Sequence, residues 1–247
     1  MSTLRNSTVE PGTYRSMPDA EYRAIDALSN SDLMAWANGE GAKKIDERNA
    51  RVGTAAHAMV LEPEVAATKI VGLAPKQKRA SYDGPDDMLV LSHSEYQTVE
   101  GCYESGLKHP QFSQIIKHAH ANRDMCELAV VFTCPHTGIL RKAKLDMHTD
   151  EWLYDIKTTQ SDPDKFAASI ANFAYHVQAA TYLQASRAAG LELKGFRFAP
   201  MCKRKDMGYP CWIQEIDNDL LRAGWKENER LMGLYARYAL DTTNDIG

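Results

Sequence analysis

The stretch ELAVVFTCPHTGILRKAKLDMHTDEWLYDIKTT, residues 127–159, decides how this chain folds. Alternating apolar and polar runs are separated by the turn signal PHTG and by a second turn at Asp150 and Glu151. That is the pattern of a three-strand antiparallel meander. In its last run, WLYDIKTT, Asp155 and Lys157 stand two apart and so share one face of the strand. With the second turn centred at 150 and 151, Asp146 falls opposite Asp155, which brings two carboxylates within ~5 Å. Such a pair repels unless a cation lies between, and oxygen ligands of this kind suit a hard divalent ion such as Mg2+. Lys157 beside them can offset negative charge or orient a water. A face carrying Asp, Asp and Lys is suited to metal-dependent cleavage of a phosphodiester. In isolation, an Asp-x-Lys pair is more often an ion pair on a wet sheet face.

Outward from the meander, Asp162 and Pro163 have the identities of a helix start. The helical pattern runs to Gly190 with a break near Asn172. GFRFAP and CWIQEID read as further strands, and residues 219–240 as a last amphipathic helix. Upstream, Ser29 with Asp32 caps a short helix that Gly39 closes. RVGTAAHAMVLEP reads as a helix stopped by Pro63. Residues 72–87 form a long polar loop, Ser94 with Gln97 caps a helix to about Lys108, and another follows Pro110. The class is α/β: a mixed central sheet containing the antiparallel meander, flanked by helices. The expected organisation is one domain over residues 1–247, with an N-terminal element (1–50), a core (51–216) and a C-terminal helix (217–247).

Of the 247 residues, 44% are hydrophobic and 25% charged, as in ordinary soluble globular proteins. The net charge of −4 argues against gripping nucleic acid through an overall field, so any such role must rest on local sites. No apolar run approaches the ~20 residues of a membrane span. MSTLRNSTVEPGTY lacks the apolar core of a signal peptide, so a cytoplasmic location with no membrane partner is expected. Five cysteines (102, 126, 134, 202 and 211) form no Cys-x-x-Cys pair. They read as reduced structural thiols, against a zinc ribbon or iron–sulfur cluster. No Walker A loop is present, so no use of ATP is expected.

The blocks GTAAHAMVLEPE, ELAVVF, TGILRKAKLD, DIKTT and YHVQAATY occur in an order and rough spacing that resembles the PD-(D/E)XK nucleases of the RecB/lambda-exonuclease type. The likeness is strongest to nuclease domains of the RecE (exonuclease VIII) kind and extends over almost the whole chain. It implies a restriction-endonuclease-like core and a role for each matching residue. His57 matches a helical metal ligand, and Asp146 the acid bridging metal and phosphate. Asp155 and Lys157 match the motif's second acid and its lysine, with Ile156 lending its carbonyl oxygen to the metal. Glu127 matches a glutamate near the second metal position, and Gln178 and Tyr182 a Gln-x-x-x-Tyr pair lining the site. Leu145 stands where the motif name has proline. Ser29 and Ser31 resemble a Ser-x-Ser element near the relatives' 5′-phosphate pocket, and helix capping explains them equally well.

On the residues alone, His57 could pack in a core, Gln178 and Tyr182 could pair along a helix, and Glu127 could simply open a strand. Lys76, Lys78, Arg79, Arg141, Lys142, Lys203, Arg204 and Lys205 are candidate phosphate contacts or solvated surface charges. The resemblance implies a Mg2+-dependent, ATP-independent exonuclease, with Mn2+ able to substitute. It would degrade linear double-stranded DNA 5′ to 3′ and leave 3′ tails for phage-type recombination. The implied partners are a RecT-like single-strand annealing protein and further copies of the chain in a ring, a tetramer rather than a trimer. Two alternatives stand beside it: a non-catalytic DNA-binding relative and an endonuclease of restriction or repair type.

Overall fold

In a computed structural model, which describes residues 9–39 and 46–244, the meander is the centre of a six-stranded sheet. Its strands are β4 (Cys126–Thr133), β5 (Leu140–His148) and β6 (Trp152–Thr159). The N-terminal part supplies β1 (Gly12–Tyr14), α1 (Asp19–Ala24), α2 (Asn30–Ala37), α3 (Glu47–Leu61), α4 (Pro63–Lys69), β2 (Ile70–Gly72) and β3 (Leu89–Leu91). Before the meander come α5 (His93–Lys108) and α6 (Pro110–Ala121). After it come α7 (Pro163–Asn172), α8 (Tyr175–Ala188), β7 (Gly195–Cys202), β8 (Gln214–Glu215) and α9 (Asn218–Asn244). The strand order is β1-β4-β5-β6-β7-β8. The pair β6–β7 is parallel and every other pair in this sheet is antiparallel. The architecture is the expected mixed sheet flanked by helices.

Two apolar layers sandwich the sheet. Val52, Ala56 and Val60 of α3 pack with Val99 of α5, Ile116 of α6 and Ile156 of β6 on one side. Phe166 of α7 and Leu183 of α8 pack with Leu145, Phe196 and Phe198 on the other. Phe166 meets Phe198 edge-on at 5.8 Å and Trp212 at 5.5 Å, geometry that adds ~0.5–1.5 kcal/mol per pair beyond burial. Helix α9 lies against α8 so closely that a Cβ on Gly224 would sit 2.0 Å from the His176 carbonyl oxygen.

The register contains the feature that makes the site. The β4–β5 ladder runs from Thr133↔Leu140 to Cys126↔Met147, and β6–β7 pair along the whole of β6. Between β5 and β6 only Met147↔Tyr154 and His148↔Leu153 are paired. Beyond them the ladder stops. The first half of β5 is instead edged by Leu28, whose N–H donates to Leu140 and whose carbonyl accepts from Lys142. The sheet therefore forks, and Asp146 and Asp155 occupy the first open rung.

Several local expectations shift. Ser92, not Ser94, caps α5, in a capping box with Glu95. Helix α3 begins at Glu47, with Asp46 accepting from the Arg48 N–H. Pro63 does end it, but only to open α4 at its first turn. The break after Asn172 lies at Ala174, which has left-handed backbone at φ 53°. Strand β1 and the parallel pair β2–β3, three residues each, are too short for a periodicity signal. Residues 1–8, part of the stretch read as lacking a signal-peptide core, lie outside the described residues.

Candidate active site

At the fork, the Asp146 side chain takes the place of a missing strand partner: its Oδ2 accepts the Ile156 N–H at 2.7 Å. From α3, His57 reaches over the same rung. Its Nε2 donates to the Ile156 carbonyl oxygen at 2.8 Å, and its Nδ1 lies 3.6 Å from Asp146 Oδ2. With Nε2 carrying the proton, Nδ1 presents a lone pair toward Asp146. The Ile156 carbonyl, expected to face a metal, is thus the oxygen that orients this imidazole. From β4, Glu127 joins them, its backbone in the left-handed region at φ 51° and its residue skipped in the β4–β5 ladder. A non-glycine residue in that region costs of order 1 kcal/mol or more and marks a position held by its surroundings. Among the described residues, His57, Glu127 and Asp146 bring ligand atoms within 4.8 Å of one another.

On β6, Asp155 is 1% exposed, which removes the wet-face reading. Its Oδ1 accepts from Gln178 Nε2 at 3.1 Å and its Oδ2 is 2.5 Å from Lys157 Nζ. Asp155 thus fixes the lysine through Oδ2, an otherwise unbonded buried oxygen on the rung it shares with Asp146. Lys157 also lies over the Tyr175 ring at 5.0 Å. Burial opposes its charge, yet the Asp155 and Asp146 carboxylates keep its pKa above the ordinary lysine value. Gln178 and Tyr182 project from α8, and burial together with Asp155 holds the Tyr182 phenol well above its usual range. Asp146 shows the opposite stress. Burial, then the Asp155 and Glu127 charges, push its carboxyl up to about 7 despite His57. One imidazole and two converging carboxylates, with the Asp146 carboxyl crowded by the charges of Asp155 and Glu127, fit a divalent cation.

Two clefts open on this centre and share Asp19 and Lys144. One, of about 770 Å3, is lined by Ser29, Ser31, Lys157, Gln178 and Tyr182. The other, of about 710 Å3, is lined by His57, Glu62 and Glu127. Ser29 and Ser31 thus reach the cleft, while Ser29 also caps α2 by accepting from the Asp32 N–H.

The basic residues divide. Arg141 is fully buried and donates to Thr181, Gln184 and Asn228. Lys142 is buried with its Nζ donating to the carbonyls of Tyr22, Arg23 and Ile25. Arg141 offers no surface to phosphate, whereas Lys142, though mostly buried, still borders the cleft of Ser29 and Lys157; their alternation on β5 ties the sheet to α8, α9 and the N-terminal segment. Arg79 is half-exposed and paired with the buried Glu95, which Arg51 of α3 also holds. Lys76 and Lys78 are exposed on the loop before it. Lys203 follows β7, its N–H bonded to the Thr159 carbonyl just past Lys157. Arg204 pairs with Asp206, and Lys205 is exposed. All five cysteines are buried and unpaired, and burial raises the thiols of Cys102, Cys126 and Cys211. Among the described residues no helix is long and apolar enough to cross a membrane.

A forked mixed sheet with an Asp at the fork, an Asp-x-Lys on the next strand and a histidine from the covering helix is the arrangement of a PD-(D/E)XK nuclease-type protein. Residues 20–230 match the family DUF3799, described as a PDDEXK-like domain of unknown function, and the chain belongs to that family. Among solved structures, a "Putative exonuclease" from Eubacterium rectale has the same fold. It is similar at a TM-score of 0.53 and 14% identity, over 86% of this chain and 73% of that one. A comparison with curated protein sequences found no match.

Two participants were not anticipated from the sequence: Lys144, paired with Glu127 and Asp19, and Asp19 itself. Alternation along RKAKLD does place Lys144 on the Asp146 face. Beside two other basic side chains, Arg141 and Lys142, it carried no distinguishing mark.

Proposed function

We propose that this protein is a divalent-metal-dependent deoxyribonuclease, an exonuclease that shortens one strand of linear double-stranded DNA. The observation that carries the reading is the open rung, where Lys157 is fixed on Asp155 beside the His57–Glu127–Asp146 cluster. Those three residues would hold the cation, Mg2+ or Mn2+, which when bound supplies positive charge at the scissile phosphate and acidifies a water. Gln178 fixes one Asp155 oxygen, so the other carries Lys157 at a set position. From there the ammonium orients the attacking water and opposes negative charge developing on phosphorus. The His57 Nε2–H bond to Ile156 keeps the other ring nitrogen free for the cation.

Direction of attack, 5′ to 3′ with 3′ tails left for strand annealing, comes from the likeness to RecE-type enzymes. So do a RecT-like partner, a phage-type recombination setting and a tetrameric ring. The test is incubation of linear and closed circular duplex DNA with Mg2+, without ATP. Loss of linear DNA alone supports the reading. Cutting of circles would make the protein an endonuclease, and binding without cleavage a non-catalytic relative.

A further inference from the structure

Lys144 lies on β5 two residues before Asp146. Its Nζ is 2.7 Å from Glu127 Oε2 and 2.6 Å from Asp19 Oδ1, and its side chain is 16% exposed, at the junction of the two clefts. Asp19 is delivered by the first turn of α1, so the ammonium clamps the N-terminal segment to the strand carrying Glu127. Lys144 thus engages Asp19 and Glu127, and Lys157 engages Asp155, which leaves Asp146 paired with neither lysine.

We propose that Lys144 is a built-in cation of this centre: its ammonium holds Glu127 and Asp19 where a second divalent ion would bind and limits the centre to one ion per chain. This rests on reading His57, Glu127 and Asp146 as a metal site. A second ion would need the carboxylates that Lys144 already engages and would sit against a fixed positive charge.

The test is Mn2+ stoichiometry on the full chain, by calorimetry and by electron paramagnetic resonance of free Mn2+, with no DNA present. Wild type should take one ion, Lys144→Ala two, and Lys144→Arg one. Circular dichroism and melting establish that each variant folds, and Lys144→Met, which keeps the alkyl stem, replaces Lys144→Ala if that variant does not. Two tight ions on wild type overturn the proposal and leave the metal-site reading standing. Lys144→Ala or its Met replacement remaining at one ion also overturns it. Wild type taking none removes the metal-site reading itself.

Discussion

Asp146 carries a carboxyl raised from an ordinary 3.8 to about 7 by burial and by the carboxylates of Asp155 and Glu127. A raised acid stabilises the fold only while protonated: its contribution is full below the ordinary value and is lost as pH rises through about 7. Metal-free protein should therefore lose melting temperature between about pH 4 and 8. Asp146→Asn should flatten that slope, as scanning calorimetry in chelator would show. Because the cation displaces the proton, Mn2+ should raise the melting temperature more at pH 8 than at pH 6. Lys157 makes a different prediction. Lys157→Ala should leave Mn2+ and DNA affinities nearly unchanged while cleavage falls ~10²-fold or more, the usual loss for one transition-state contact. Single-turnover rates beside calorimetry would decide, and a near-wild-type rate would end the assigned role. Asp155, Lys157 and Asp146 were legible because strand alternation fixes which residues share a face. The left-handed backbone of Glu127 was not, since no sequence pattern marks a non-glycine residue held there by tertiary contacts.

Among the elements, α5 shows where local signals run out. Ser92 with Glu95 and Ser94 with Gln97 are overlapping capping boxes, and sequence cannot choose between them. Tertiary structure chooses Ser92, because Glu95 is buried against Arg51 and Arg79. Although burial works against it, the Ser92 N–H and Arg51 hold the Glu95 carboxyl at about 2. A depressed acid stabilises fully above its ordinary value and loses that contribution as pH falls toward about 2. Glu95→Gln should thus lower stability at neutral pH and shrink the acid-denaturation limb, readable by urea melts from pH 7 to pH 3. It should also loosen α3, the helix that aims His57. Arg141 on β5 is the second case. Read from sequence it joined a basic stretch; in the fold it bonds α8 and α9 from beneath. Arg141→Met should cost ~2–4 kcal/mol, because Thr181, Gln184 and Asn228 lose a buried donor. The salt dependence of DNA binding should not change, since no phosphate contact is removed.

At the scale of the whole molecule, the net charge of −4 leaves DNA affinity to local cations. Lys205 and the loop of Lys76 and Lys78 are the exposed candidates, with half-buried Lys203, next to Thr159 and bonded to Asn49, behind them. A ring would present such groups along one channel and keep the enzyme on its duplex. Light scattering should find about four times the 27.6 kDa chain mass, and a monomer would end the ring proposal without touching the active-site assignment. The sheet's mixed character was legible from the meander and the helical stretch after it. That β5 and β6 part after two pairs was not, because the residues that replace their ladder, Leu28 and the Asp146 side chain, act from outside the strand pattern. This parting divides the sheet into β1-β4-β5 and β6-β7-β8, joined along their length by little more than two rungs and one carboxylate. Each half can then open as its own cooperative unit in amide hydrogen exchange. Protection of the Ile156 amide, held by Asp146, would report the seam between them, and a cation bound at that seam would slow exchange in both halves at once.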